Sequence, residues 1–159
     1  MTSTLTAATM TVTLTESIEL NGTNQGATNT LEIASIAEVS KRIVNIPNSE
    51  VVVLAMHDSA VAAGQHIEAT VKYIRLTNKD DTNHIGLIFK NENDDEFGVK
   101  LDKGQSFIYN GDTSGGVVDT MDAQDGGADL VANTFADLVN ITAFADTAAC
   151  DLEIFVAST

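Results

Sequence analysis

The stretch VKYIRLTNKDDTNHIGLIFKNENDDEFGVKLDKGQSFIY, residues 71–109, alternates short apolar runs with tight polar segments. Large apolar side chains recur at every second position in two of these runs: Ile85, Leu87 and Phe89, then Phe97, Val99 and Leu101. Asn, Asp and Gly fill the segments between the runs. Period-two alternation indicates strands with one buried face, and strands at roughly ten-residue spacing joined by such turns are typical of an antiparallel sandwich or barrel.

The flanking sequence extends this pattern in both directions. Further strands are predicted within 11–20, 30–36, 43–46, 49–56, 67–76, 106–109, 139–144 and 150–157. The segment 49–56 is apolar on both faces and should therefore be central or at an interface. Between Tyr73 and Ile74 the apolar positions shift phase by one residue, which predicts a β-bulge or a bend. We therefore predict an all-β fold, an antiparallel β-sandwich of jelly-roll-like type with at most one or two short helices.

Two segments leave their secondary structure open. The segment 34–42 has apolar residues at helix-like spacing but is too short to specify a helix. Asp129 has the side chain of a helix N-cap, and Val131, Phe135 and Leu138 would lie along one face of the helix that follows.

The length of 159 residues fits a flexible N-terminal arm, 1–9, and a single β-sandwich domain, 10–159. Residues 1–9 are rich in Ser, Thr and Ala, whereas the remainder carries the alternating strand pattern. The alternation predicts that the following residues are buried: Val12, Leu14, Val53, Val71, Leu87, Phe89, Leu101, Phe107, Ile141 and Ile154.

The charge of the chain is strongly negative and unevenly distributed. Eight Lys and Arg stand against 23 Asp and Glu, for a formal net charge of −15, and every base lies between Lys41 and Lys103. Such a surface repels nucleic acid and anionic lipid, so we expect neither as a partner. No apolar stretch reaches the length of a membrane-spanning helix, and the first ten residues lack the features of a secretory signal.

Motifs for chemistry are absent from the sequence. His57, His66 and His84 are dispersed, Cys150 is the only cysteine, and no zinc, phosphate-binding or nucleophile motif occurs. We therefore expect no enzymatic activity, no metal and no cofactor. The acidic segments 91–96 and 119–129 carry oxygen ligands of the type that Ca²⁺ prefers, and calcium binding stays open there.

The run Val71–Tyr109 resembles a pattern found in small β-sandwich proteins of tailed-phage virions. A strand ending in YIRLTN is followed by an Asp-Thr-Asn turn, a strand, an acidic hairpin tip, VKLDKGQSF and another strand, covering about a quarter of the chain. The proteins it resembles include capsid decoration (cement) proteins and small head-neck or tail components. On this resemblance the polar segment 78–83 is a turn that sets strand register and has no reaction attached.

The resemblance implies a non-enzymatic virion structural protein, most directly a decoration protein that binds and stabilises the phage shell. Its partners would be the major capsid protein or other virion proteins, it would form a homo-oligomer, and it would reach the virion after assembly in the host cytoplasm. Arms of small apolar residues and Thr can add a strand to a neighbouring sheet edge. We therefore expect Leu5, Met10 and Val12 at an interface.

Three other functions are compatible with such a fold. The protein would be a neck, tail or fibre component in the first, and a carbohydrate- or cell-surface-binding β-sandwich in the second. Binding modules of the second kind usually present aromatic platforms, and this chain has no Trp and only two Tyr. An enzyme on a jelly-roll barrel, the third, would need clustered His ligands, which the sequence does not provide.

Overall fold

The computed structural model describes residues 5–59, 65–123 and 135–159. Within those ranges the chain forms β-strands and one 3-10 turn, Glu68–Thr70, and no α-helix. The strands are β1 (Ala8–Thr15), β2 (Glu19–Leu20), β3 (Thr23–Asn24), β4 (Thr28–Ile36), β5 (Glu38–Ile46), β6 (Val51–His57), β7 (His66–Ile67), β8 (Val71–Asn78), β9 (Ile85–Asn91), β10 (Glu96–Leu101), β11 (Ser106–Asn110), β12 (Leu138–Ala145) and β13 (Cys150–Ser158). None of the described elements is a helix long and apolar enough to cross a membrane.

Two sheets pack face to face around one hydrophobic core. Sheet 1 has the strand order β10-β9-β12-β6-β7, and sheet 2 has the order β11-β8-β13-β5. All pairs are antiparallel except the short contact between β6 and β7. Phe89 in sheet 1 stacks on Phe97 and contacts Phe107 and Tyr109 in sheet 2, with ring centroids 4.7, 4.9 and 5.9 Å away. The predicted all-β sandwich is therefore confirmed.

Most of the predicted core lies between the two sheets. The buried residues are Val53, Val71, Leu87, Phe89, Leu101, Ile141 and Ile154. Phe107 is half-buried because β11 is an edge strand, and Val12 is half-buried outside the sandwich. The prediction for Leu14 is wrong, since 54% of its surface is exposed. Leu14 continues the face of Val12 along β1, but no part of the sandwich lies beneath it.

The two segments whose secondary structure the sequence left open do not form helices where the structure describes them. The segment 34–42 belongs to the end of β4 and the start of β5. Leu138 is the first residue of β12, and Phe135 is 55% exposed, so the predicted helix is wrong at its C-terminal end. Asp129 and Val131 lie outside the described residues.

A bulge explains the phase shift before Ile74. Ala157 pairs with Tyr73 and Ser158 pairs with Val71, so Lys72 is an extra residue in β8. The predicted bulge is thereby confirmed. Because of it, Val71 and Ile74 both point into the core while Tyr73 points to the outer face of sheet 2.

A second bulge explains why β6 has apolar residues at consecutive positions. Ile141 pairs with Leu54 and Thr142 pairs with Val52, which leaves Val53 without a partner in β12. Both Val53 and Leu54 are buried as a result, whereas Val52 is 62% exposed. The strand lies beside the two-residue β7, near one edge of sheet 1 rather than at its centre.

The polar segment 78–83 carries the chain from sheet 2 to sheet 1, and Asn78 holds it in place. The Asn78 side chain is fully buried. Its Nδ2 donates to the Leu101 carbonyl at the end of β10 (3.1 Å) and to the Asn83 carbonyl (2.9 Å), and its Oδ1 accepts from the Asp80 amide (2.9 Å). The Asp80 carboxylate in turn accepts from the Thr82 and Asn83 amides. This carboxamide therefore links the two sheets and fixes the turn between them.

Replacing Asn78 with Ala should destabilise the fold by about 3 kcal/mol, because it leaves buried donors and acceptors unpaired. Chemical denaturation of the purified protein measures this loss. Asn45→Ala is the matched control, since its side chain makes a hydrogen bond to Asp151 in an exposed position. An equal loss of unfolding free energy in the two variants would contradict a stabilising role for the link between the sheets.

Candidate interaction surface

A long two-stranded ribbon precedes the sandwich in the chain. Strands β1 and β4 pair antiparallel from Ala8 and Ile36 to Thr15 and Thr28. Hydrogen bonds between the backbones at Glu16 and Ala27 and at Ile18 and Gln25 continue the ladder to β2 and β3. Asn21 and Gly22 form the tip with φ angles of 53° and 76°, as a type I′ hairpin turn requires.

The base of the ribbon packs on the outer face of sheet 2. Ile33 and Ile36 in β4 are buried against Tyr73 in β8 and Ala157 in β13. Met10 and Val12 in β1 are half-buried in the same cluster, together with Phe155. Met10 pairs with Ile33, and directly paired residues point to the same face of a two-stranded sheet. The base of the ribbon is therefore a third layer, which covers β8 and β13 on the side away from the core.

The distal part of the ribbon, 13–32, lies beyond this support. Every residue in it is exposed except Gly26, which is half-buried. Its large apolar side chains are all exposed: Leu14 54%, Ile18 50%, Leu20 55% and Leu31 38%. An isolated two-stranded hairpin is only marginally stable, so a hairpin that exposes its large apolar side chains is a candidate for contact with another surface. We take residues 13–32, called the distal ribbon below, as the candidate functional site.

The three predicted interface residues lie at the base of the ribbon and before it. Leu5 is 72% exposed and precedes β1, while Met10 and Val12 contact the body of their own chain. Residues 1–4 of the predicted arm lie outside the described residues, and residues 8 and 9 belong to β1.

The exposed apolar residues of the distal ribbon do not follow from the sequence pattern. The alternation of Leu14, Ile18 and Leu20 predicts a buried face, and that prediction is wrong because all three are half or more exposed. A signal was present: between residues 13 and 32 only four side chains are large and apolar. So few apolar groups cannot form a core of their own, so such a hairpin must either rest on the body or project from it.

The polar side chains of the acidic tip 91–96 form hydrogen bonds and ion pairs within the hairpin. The Asn91 Oδ1 accepts from the amides of Asn93 (3.0 Å) and Asp95 (2.9 Å), and the Asn91 Nδ2 donates to the Asp95 carboxylate. The Lys90 Nζ lies 2.7 Å from the Asp94 carboxylate. In the described ranges no group of three or more His, Cys, Asp or Glu is placed to hold a metal ion. Residues 124–129 of the second acidic segment lie outside those ranges.

Among the described residues, one histidine lies close to the cysteine, since the Cys150 Sγ is 4.0 Å from the His84 backbone carbonyl. The Nδ1 of His84 lies 3.4 Å from the Asp146 carboxylate, whereas His57 and His66 lie on β6 and β7. Cys150 is a buried free thiol. Burial raises the pKa of this thiol, and the nearby carboxylate of Asp80 raises it further.

An apolar groove of about 400 Å³ lies on the outer face of sheet 1. Its floor is Gly86, over which the Phe144 ring lies so closely that a side chain at position 86 would collide with it. The charged groups at its rim are engaged, since the Lys100 Nζ lies 2.9 Å from the Asp102 carboxylate and His84 contacts Asp146. The groove therefore suits an apolar group and offers little to a polar ligand.

Glu68 is a buried carboxyl beside a second acid. Burial raises its pKa, and Asp137, which shares a side-chain hydrogen bond with it, raises it further together with Asp58. The backbone carbonyl of Glu68 accepts from the Val117 amide, so the same residue anchors the segment after β11.

Comparison with known proteins found no match to this chain among family models, curated proteins or solved structures. The resemblance of Val71–Tyr109 to phage virion proteins therefore stays a prediction.

Glu68 should make the fold less stable as the pH rises. A carboxyl whose pKa is raised in the folded state contributes its full stabilisation below the unfolded value of 4.5, and this contribution is lost as the pH rises through the folded value. Glu68→Gln should therefore become more stable relative to the wild type over that range. Urea denaturation at a series of pH values measures the difference. Glu19→Gln in the exposed β2 is the control, and an identical pH profile for Glu68→Gln and wild type would contradict the prediction.

Proposed function

We propose that this protein is a non-enzymatic structural component of a larger assembly, most directly a capsid decoration protein that binds and stabilises a phage shell. The observation that carries the proposal is the distal ribbon, which displays apolar side chains and two strand edges while burying almost nothing in its own chain. The phage setting, with the major capsid protein as partner and the virion as location, is supported by the resemblance of Val71–Tyr109. A neck, tail or fibre component is the alternative position in the same particle.

The ribbon is suited to strand addition. Its two strands pair only with each other among the described residues, so the outer edges of β1 and β4 present free backbone donors and acceptors. A peptide edge that joins a neighbouring sheet gains main-chain hydrogen bonds, and side chains on alternate positions give specificity. The packed base holds the ribbon in place before binding, which lowers the entropy that binding must overcome.

The body supports this role as a rigid platform. On the outer face of sheet 2 the Glu153 carboxylate is held by two cations, since it lies 2.7 Å from Arg75 and 3.2 Å from Lys41. These hydrogen bonds lower the pKa of Glu153, with Arg75 the larger contributor. The remaining surface is acidic, as the net charge of −15 requires, and favours a polar or positively charged docking site.

A carbohydrate- or cell-surface-binding module is the second candidate, and the groove over Gly86 is the observation in its favour. It offers one aromatic face, that of Phe144, in a lining that is almost entirely apolar. Sugar recognition also needs free hydrogen-bonding groups around the ring face, and the Lys100 and His84 side chains are already paired. The ribbon is therefore the stronger basis for a function.

Shortening the ribbon should remove binding without unfolding the body. We suggest replacing residues 14–29 with Asn-Gly, which keeps the base from Met10 to Val12 and from Leu31 to Ile36 and closes it with a hairpin turn. The variant should keep a β-type circular dichroism spectrum and the melting temperature of the wild type. Its occupancy on purified phage particles should be lost. Quantitative proteomics of the particles measures that occupancy.

A truncation of residues 1–7 is the matched control, because it ends just before β1 and leaves the whole ribbon in place. It separates binding by the ribbon from binding by the segment that contains Leu5. Wild-type occupancy of the shortened variant would refute docking by the distal ribbon. Absence of the full-length protein from purified particles would refute the virion proposal.

A further inference from the structure

The tip of the distal ribbon places an Asn-Gly pair in open solvent. Asn21 and Gly22 are both exposed. The Asn21 side chain and the Gly22 amide form no hydrogen bond with another described residue. A Cβ atom built at position 22 would meet nothing within 4 Å, so the space around this part of the main chain is open. The amide nitrogen of Gly22 is therefore accessible and unengaged.

An Asn side chain that precedes Gly can react with its own main chain. The amide nitrogen of Gly22 loses its proton and attacks the side-chain Cγ of Asn21. A C–N bond forms, the bond from Cγ to Nδ2 breaks, and the proton leaves with the nitrogen as ammonia. Water then opens the cyclic imide at one of its two carbonyl carbons, which gives either aspartate or isoaspartate. Glycine favours the attack because it has no Cβ to hinder the approach.

The other Asn-Gly pair of the sequence, Asn110-Gly111 at the end of β11, provides an internal comparison. Asn110 is exposed like Asn21, so the two pairs differ at the nitrogen that attacks. The Gly111 amide donates to the Lys72 carbonyl (3.1 Å). A Cβ atom at Gly111 would collide with the backbones of Gly116 and Val71, so this glycine is also tightly packed. Its nitrogen can attack only after local unfolding.

The ribbon tip, in contrast, opens at little cost. Strands β2 and β3 have two residues each, and they pair only Glu19 with Asn24 and Leu20 with Thr23. The side chains of these four residues are exposed, so little packing resists fraying. Local opening of such an end requires far less free energy than opening inside a packed sheet. The main chain at Asn21 is therefore free to reach the geometry of attack.

We propose that Asn21-Gly22 is a site of spontaneous deamidation, at which the folded protein converts Asn21 to isoaspartate and aspartate with time. Either product adds a negative charge close to Glu19, in a ribbon that contains no base. Isoaspartate also adds one atom to the main chain, so the two-residue turn no longer matches the twist of the paired strands. Old molecules therefore differ from new ones in the charge and in the turn of the ribbon tip.

Peptide mapping of the purified full-length protein tests this proposal. The protein is incubated under mildly alkaline, native conditions, which favour loss of the amide proton, and samples are taken over time. Cleavage after Glu19 and Glu32 releases residues 20–32, in which mass spectrometry detects the replacement of an amide NH₂ by OH. Fragmentation assigns the change to Asn21, Asn24 or Asn29, of which only Asn21 precedes a glycine. Labelling with a protein-isoaspartate methyltransferase and S-adenosylmethionine detects the isoaspartate product.

Asn21 should convert at least about tenfold faster than Asn110 in the folded protein, since a difference of about 1.4 kcal/mol in local opening gives that factor. In concentrated urea the two sites should convert at similar rates, because both are then unfolded Asn-Gly pairs. The Asn21→Asp variant is the matched control. It keeps a dipeptide that forms the same turn and should show no mass gain in the peptide 20–32.

Equal rates at Asn21 and Asn110 in the folded protein would overturn the proposal, because the difference in structure would then have no effect. An Asn21 that converts in urea but stays unchanged in the folded protein would also overturn it, since the turn would then protect the site. A mass gain of the peptide 20–32 in the Asn21→Asp variant would place the reaction at another residue. None of these measurements depends on particle binding, so their outcome is independent of the proposed function.

Discussion

The buried carboxamide of Asn78 is the constraint on which the rest of the sandwich depends. A polar side chain that points into an apolar core is costly unless every donor and acceptor is paired, and here both ends of the amide are used. One bond reaches the end of β10, so the two sheets are joined at this point by a directional contact as well as by packing. The adjacent Lys79 amide donates to the Asp151 carbonyl of β13, which adds the last strand to the same junction. This junction holds the two sheets in their relative position. It also sets the point at which β9 begins and helps to close the core.

A body fixed in this way gives the ribbon a firm base. Strands β8 and β13 are covered on both faces, by the core on one side and by Ile33, Ile36 and their neighbours on the other. The base of the ribbon is packed and its distal part is exposed, an arrangement that fixes the direction of the hairpin and leaves its distal side chains free. The same geometry explains why one apolar face of β1 is partly buried at one end and exposed at the other. Met10 and Val12 lie over sheet 2, whereas Leu14 lies past it.

Local periodicity was sufficient for the class of fold and for most of the sandwich core. Alternation at Ile85, Leu87 and Phe89 identified one face of β9, and the phase shift at Tyr73 identified a bulge. Periodicity could not reveal what lies opposite an apolar face, which is why Leu14 was placed in the core. It also could not separate a short helix from two strands joined at Ala37, because apolar spacing over so few residues fits both. The distal ribbon as a candidate site needed the three-dimensional structure, since exposure depends on where the supporting sheet ends.

The anchoring of the ribbon joins the two ends of the described chain. Ile33 and Ile36 near its beginning rest on Ala157, close to its end, and on Tyr73 between them. During synthesis the ribbon is made before β13, the strand that completes the surface on which the ribbon packs. A nascent chain therefore carries a loosely held hairpin until translation reaches Phe155 and Ala157. Contacts so distant in sequence also form late in folding, because the loop that they close is long. The ribbon therefore gains a fixed direction only after β13 has been made and has paired with β8.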